Sequence, residues 1–235
     1  MSKYTNIAIT NMSLIENDGK TSEISVEAAN ALLQKVEEKN DIKVLILVTQ
    51  EGDFLFPATA FVVHKELNLS KDCIVYDINA GTDGFLTALE ITSGLLHAYD
   101  STCSGVVIAA EQGKAVATHV KKMDGLYAEF THKIYPKLWD TVWESRWKEG
   151  RECKIGTFLS VIEKETMIDI NKEDAEYAIF PQRDMDESTL IDSSVLIPME
   201  MIRKMDGIDR ENLRFFCKGI GTGCSVTEAY LCVCR

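Results

Sequence analysis

The sequence predicts an α/β fold built on a parallel or mixed sheet, and three observations carry that prediction. Apolar runs of strand length recur along the chain, helical patterns lie between them, and one run is apolar without interruption. That run, Lys43-Val-Leu-Ile-Leu-Val-Thr49, lies between Asp41 and Gln50-Glu-Gly-Asp53, and it reads as a strand covered on both faces. Cys73-Ile-Val-Tyr-Asp-Ile78 and Gly105-Val-Val-Ile-Ala-Ala110 have the same character. Between the runs, Ser25 to Lys39 sets Val26, Ala29, Leu33 and Val36 on one helical face. Pro57 to Leu67 opens with proline at a first-turn position, where its missing N–H is harmless. Thr82 to Tyr99 carries Phe85, Leu89, Ser93 and Leu96 at helical spacing. Strands alternating with helices in this way make βαβ units.

The second half repeats the outline. Helices are expected from Lys122 to about Lys148, with a kink or break at Pro136, and from Ile155 to Lys164. A strand over Ala175–Phe180 and a helix around Pro198 to Met205 follow, and strands over Leu213–Lys218 and Glu228–Cys234 close the chain. No linker rich in Gly, Ser or Pro divides the halves, so one compact body is expected.

Composition narrows the function classes. The chain has 235 residues, with 37 acidic against 25 basic side chains and a net charge of −12. Neutralising nucleic-acid phosphates needs a basic face, which a pair such as Lys121-Lys122 does not supply. No apolar run reaches the roughly 18–20 residues that span a bilayer, and the first residues lack the apolar stretch of a signal peptide. The seven cysteines include no CxxC pair and no neighbouring histidine at metal-ligand spacing. A cytoplasmic protein with buried, reduced thiols and no metal or cofactor is expected.

The most informative segment is Tyr76-Asp-Ile-Asn-Ala-Gly-Thr-Asp-Gly-Phe85, in which a buried strand passes through a small-residue turn directly into an apolar helix. Unpaired N–H groups at that helix start carry partial positive charge, so they stabilise an anion placed there and can serve as an oxyanion hole.

This turn resembles that of the thiolase-fold condensing enzymes, in particular the β-ketoacyl-acyl-carrier-protein synthase III (KAS III) branch. There it reads Asn-Ala-Ala-Cys-Ser-Gly-Phe and the Cys takes the acyl group. Other pieces are similar in the same order. They are Thr49 to Ala60, Val106 to Glu111 (the family's strand ending in Gly-Ala-Glu), and Lys122-Met-Asp-Gly125. Ala178 to Asp184 stands where the family has Pro-His-Gln-Ala-Asn, and Gly219-Ile-Gly-Thr-Gly223 where it has a glycine-rich loop. The resemblance implies a thiolase-like fold of two similar βαβ halves, 1–120 and 121–235, packed as α-β-α-β-α layers and trimmed relative to the family. Little is left between Glu111 and Lys122 or between Gln182 and Pro198.

The family's catalytic residues do not carry over. Its nucleophilic Cys falls on Thr82, an alcohol whose acidity a helix start cannot bring near neutrality. Its His is replaced by Pro181 or deleted after it, and its Asn falls near Ile191. Neither side chain donates a hydrogen bond. Of the four histidines, His97 lies near the end of the helix begun by Thr82, which places it roughly 20 Å away at 1.5 Å per residue. His64 and His132 fall on helical patterns, and His119 has no readable context. Asp83 is either an acid or base for Thr82 or, as is usual in a first turn, a capping residue.

Two further features have plainer readings. Trp139, Trp143 and Trp147 stand four apart on one helical face, either in the core or as a docking stripe. Cys232 and Cys234 share one side of the last strand. The Gly219–Gly223 glycines are no phosphate loop, because a strand follows them.

What the resemblance implies is a catalytically silent KAS III-like subunit, a pseudo-ketosynthase. It would pair with an active ketosynthase subunit as a heterodimer or heterotetramer, and the complex would also meet an acyl carrier protein. Silent partners occur in the family, in chain-length factors and in a heterodimeric alkylquinolone synthase. Thr82, Asp83, Gly84, Gly221 and Gly223 are the expected binding positions. The alternatives are an acyltransferase that uses Thr82 as acyl acceptor and a stand-alone ligand-binding protein.

Overall fold

The computed structural model describes residues 3–36, 39–54, 56–100, 102–111, 113–126, 128–134, 175–179, 193–220 and 225–234. The uninterrupted apolar run is strand β3 (Ile42–Val48), buried throughout except at Lys43. It pairs in parallel with β4 (Ile74–Ile78) on one side and β5 (Ser104–Glu111) on the other. β6 (Lys114–Lys122) turns back antiparallel to β5, and β2 (Ile7–Glu16) lies antiparallel beyond it. The spatial order is therefore β4-β3-β5-β6-β2.

A second group of strands follows. β7 (Ala128–Ile134) and β9 (Asn212–Ile220) flank β10 (Ser225–Cys234) antiparallel on its two sides. β8 (Tyr177–Ile179) runs parallel to β9, and β1 (Lys3–Thr5) runs antiparallel to β7. The groups touch edge to edge through one parallel pair, Val233 with Ile9.

Helices settle on the faces that the strand pattern leaves apolar. α1 (Thr21–Leu33) and α2 (Thr59–Glu66) cover the outer face of the first group, packing Ile24, Ala28, Leu32 and Val63 with Leu45, Leu47, Ala115 and Ala117. α3 (Gly84–Leu96) and α4 (Ser193–Met205) lie between the groups. Their Phe85, Leu89, Val195 and Met201 join Val44, Ile46 and Val107 on one side and Phe130, Phe215 and Leu231 on the other. Each such side chain contributes about 1.5–3 kcal/mol on burial, which is what fixes α3 and α4 as the middle layer. Among the described residues the layers are thus α-β-α-β.

Several expectations are corrected. Residues 122–134 are the end of β6, a turn at Gly125 and strand β7, not a helix. Ala128 and Phe130 are buried while Glu129 is half-buried, a period of two that the polar residues of the segment obscure. His132 therefore lies on a strand. The first helix starts at Thr21 rather than Ser25 and stops at Leu33. Pro57 precedes α2, following a cis peptide from Phe56, and is not a first-turn residue. β1, β2, β6 and β7 are strands that the apolar pattern of the sequence does not predict. Pro198 sits inside α4. The remainder of the helix expected to Lys148, the helix over Ile155–Lys164 and the Trp139/Trp143/Trp147 stripe lie outside the described residues. No described helix is long and apolar enough to cross a membrane.

Candidate functional site

The parallel strands β3, β4 and β5 end on the same edge of the sheet, and in open α/β sheets such edges are where sites form. β4 runs through Asn79 and Ala80 into a single 3-10 turn, Gly81–Asp83, which continues as α3. Gly81 has φ +61, a conformation that favours glycine. Gly84 lets the helix start lie against β3, because a Cβ there would stand 2.5 Å from Val48 Cγ1. The turn is closed from the opposite side by β9. A Cβ on Gly219 would lie 2.6 Å from Asp83 Cα and 2.8 Å from the Thr82 carbonyl oxygen. α4 packs on the turn as well. Thr82 is 5% exposed and Asp83 1%.

The sequence therefore located the turn correctly, and Thr82, Asp83 and Gly84 meet there. The capping expectation for Asp83 fails. The residue is already in the αR conformation and its carboxylate makes no cap hydrogen bond. Pro181, Ile191, Gly221 and Gly223 lie outside the described residues.

Three carboxylates organise the strand ends by accepting backbone N–H groups. Asp53 receives Thr21 N at 3.1 Å and Ser22 N at 2.8 Å, so it caps α1 from a distant loop. Asp77 receives Thr59 N at 2.8 Å and Ala60 N at 2.7 Å and caps α2, and desolvation holds its acidity below that of an ordinary aspartate. Glu111, at the end of β5 and 1% exposed, is the deepest. Its Oε1 accepts Gln50 N–H at 2.9 Å, and its Oε2 accepts the Thr49 hydroxyl at 3.4 Å. The buried Ser194 hydroxyl of α4 favours the ionised form without closing a hydrogen bond of ordinary length. Burial outweighs these donors and raises the Glu111 pKa to about 7.

Each of the four histidines has a defined place. His64 Nε2 bonds the Ser70 carbonyl, and His97, at the far end of α3, bonds the Ser93 carbonyl. His119 on β6 is buried, bonded through Nδ1 to Thr10 Oγ1 at 2.6 Å, and desolvation lowers its pKa to about 4. His132 was the least legible. It is exposed, with Nδ1 2.8 Å from Thr227 Oγ1. Thr227 pairs in register with Gly219, the residue that touches Thr82. The register thus carries an imidazole to the neighbourhood of the turn, and no sequence signal marked it. Cys73, Cys103, Cys217, Cys232 and Cys234 are free thiols. Desolvation pushes Cys73 and Cys234 up to about 11 and Cys217 higher still, so none of these three is a ready nucleophile.

No family model matches the chain. A 3-oxoacyl-[acyl-carrier-protein] synthase 3 of Campylobacter jejuni is 38% identical over 77 residues, 32% of this chain and 22% of that protein. The β-ketoacyl-[acyl-carrier-protein] synthase III of Neisseria gonorrhoeae is 33% identical over 97 residues, 41% of this chain and 30% of the relative. The matched segments span less than a third of either relative. Among solved structures, a 3-oxoacyl-(acyl-carrier protein) synthase of Burkholderia xenovorans superposes with TM-score 0.68 at 17% identity, covering 99% of this chain and 96% of the other. The synthase III of Xanthomonas oryzae pv. oryzae gives TM-score 0.71 at 11% identity, covering 98% and 99%. The chain therefore has the thiolase-like fold of these synthases, and over the matched segments its sequence is similar to KAS III enzymes.

Proposed function

We propose that this chain is a catalytically silent KAS III-like subunit that pairs with an active ketosynthase and shapes or stabilises the partner's acyl site. The fitting pathway is fatty-acid-like, polyketide or other natural-product synthesis. The observation that carries the reading is Thr82. It stands where the resemblance puts the family's nucleophile, on the strand-to-helix turn that Gly219 closes, but its side chain is an alcohol. Helix-start amides and a partial positive charge stabilise a thiolate, and they shift an alcohol far too little to ionise it near neutral pH. Pairing is supported by β4, the terminal strand of its group among the described residues. Tyr76 on this strand and Phe54, Phe56 and Phe61 on the loop and helix beside it are exposed, Phe56 to 92%. An open strand edge flanked by aromatic side chains is a surface that another chain covers. An acyl carrier protein is the second partner of such a complex; one solved neighbour, a curacin-pathway HMG synthase, is described in complex with an acetyl-donor carrier protein.

The test is co-expression with an active ketosynthase of the same organism, followed by intact mass of the purified chain after incubation with acyl-coenzyme A. A stable complex and an unmodified chain are expected. An acyl adduct that disappears in Thr82→Ala would establish the acyltransferase reading instead, with Asp83 or a partner's residue as base. Absence of any complex would leave the stand-alone ligand-binding protein.

A further inference from the structure

Glu111 is bonded to the segment that holds the Thr82 turn in place, although it is distant from that turn in sequence. Its Oε1 holds Gln50 N–H at 2.9 Å, and the Gln50 carbonyl accepts the side-chain amide of Asn79 at 3.2 Å. Asn79 lies between β4 and the Gly81–Asp83 turn. Glu111 Oε2 accepts the Thr49 hydroxyl. Thr49 N–H in turn donates to Ile78 O at 3.0 Å, and Thr49 Oγ1 accepts Glu51 N–H at 3.2 Å. The next residues tie the same segment to α1, through Thr21 Oγ1 to the Glu51 carbonyl at 3.2 Å and through the Asp53 cap. On the other side, Glu111 faces Ser194 of α4, the helix that packs on the turn.

We infer that Glu111 is a proton-dependent positioning residue, whose ionised carboxylate locks residues 49–53 against the Thr82 turn and whose protonation rearranges that lock. A carboxylate accepts at both oxygens, whereas a carboxylic acid donates from one of them. When a proton from water adds to Oε2, the Thr49–Glu111 bond reverses and Thr49 Oγ1 becomes the acceptor. The Glu111 O–H then shares Thr49 Oγ1 with the Glu51 N–H that already donates to it, and the Thr49 hydroxyl proton must turn to another acceptor. The change passes to Glu51 and Gln50, and through Gln50 to Asn79 and the turn. The balance lies near neutral pH, because desolvation of a side chain 1% exposed offsets its donors.

Charged groups on the packed elements are few. Glu51 on the segment itself adds to the rise in pKa. Lys114 faces Glu111 across the β5–β6 pair, with Glu16 of β2 beyond it. Asp53 stands at the start of α1 and Asp83 on the turn under α4, while Glu200, Arg203 and Lys204 lie further along α4. The inference does not depend on Thr82 being inert; it concerns the support of the turn.

The experiment is a ¹⁵N-resolved NMR titration of the full chain from pH 5.5 to 8.5, read at the Gln50 and Glu51 amides and the Asn79 side-chain amide. The three signals should move together with one midpoint near 7. The midpoint should fall in Glu51→Gln, which removes a like charge, and rise in Thr49→Val, which removes a donor to the ionised form. In Glu111→Gln the titration should vanish. The inference is overturned by signals that stay still across the range, or by a midpoint unchanged in both Glu51→Gln and Thr49→Val. A titration that persists in Glu111→Gln overturns it equally. The first two tests stand even where the glutamine variant fails to fold.

Discussion

The hairpin of β5 and β6 buries Glu111 beside its turn and His119 towards its open end, opposite Val106. The surroundings of the two side chains differ. Glu111 has two donors from the segment after β3, the Gln50 N–H and the Thr49 hydroxyl, and a second hydroxyl nearby on Ser194 of α4, the helix that packs on the Thr82 turn. Among the described residues His119 has one hydrogen-bond partner, Thr10 on the adjacent strand, and its buried Nε2 has none. The first environment is polar and shared among elements that meet at a site. The second is a polar group held inside a sheet face by a single bond. Burial alone therefore does not distinguish a site residue from a structural one; the number and origin of its partners do.

The largest effect should come from disturbing the Thr82 turn that the Glu111 end supports, where β9 packs backbone on backbone. Gly219→Ala places a methyl group 2.6 Å from Asp83 Cα, where backbone rather than a flexible side chain must give way. Overpacking of this kind costs on the order of 3 kcal/mol, read as a lowered denaturation midpoint with unchanged slope. A variant as stable as the parent would mean that the second strand group does not close on the turn.

The pH dependence should separate the two ends next. Glu111 is raised from 4.5 to about 7, so folding favours its protonated form and stability falls as pH rises between those values. His119 is lowered from 6.5 to about 4, so folding favours its neutral form and stability rises with pH over that interval. From pH 4.5 to 6.5 the two contributions oppose each other, each on the order of 3 kcal/mol across its full range. The parent chain should show little net slope from this pair. Glu111→Gln should unmask a stability that climbs from pH 4 to 6.5, and His119→Asn one that declines from pH 4.5 to 7, both measured by urea unfolding at each pH. Parallel profiles for the two variants would remove the distinction between the ends.

The same contrast separates what was legible in the sequence from what was not. β3, β5 and α3 announce themselves because a strand covered on both faces must be apolar and a packed helix must repeat its apolar side, whereas β4, at the end of its group, leaves Tyr76 and Asp77 exposed. β6 hides among Lys114, Thr118, His119, Lys121 and Lys122, and β2 among Thr10, Asn11 and Ser13, because central strands that carry buried or half-buried polar side chains lose the apolar run. The Thr82 turn is local, a strand running straight into a helix, so sequence order shows it. The support of that turn is not local. Glu111 bonds residues 49 and 50 and faces residue 194, and Gly219 meets Thr82 only because β9 folds over the turn. The likeness of Val106–Glu111 to a family strand located the glutamate without disclosing what it holds.

The smallest effects come from removing the hydroxyl partner at each end. Thr10→Val deletes the sole hydrogen bond of His119 and leaves both ring nitrogens buried without a partner. An unsatisfied buried polar group costs about 1–3 kcal/mol, so a loss near 2 kcal/mol is expected at pH 7. Thr49→Val deletes a bond of 3.4 Å, long for its type, and Glu111 retains Gln50 N–H at 2.9 Å. Its cost should stay under about 1 kcal/mol, since a carboxylate with a second donor keeps most of its compensation. The ratio of the two losses is the informative quantity, because both substitutions exchange the same atoms at buried or half-buried positions. A Thr49→Val loss equal to or larger than that of Thr10→Val would place the weight of the Glu111 network on the Thr49 hydroxyl rather than on the Gln50 amide. The lock on the turn would then run through Thr49 and Ile78 instead of Gln50 and Asn79.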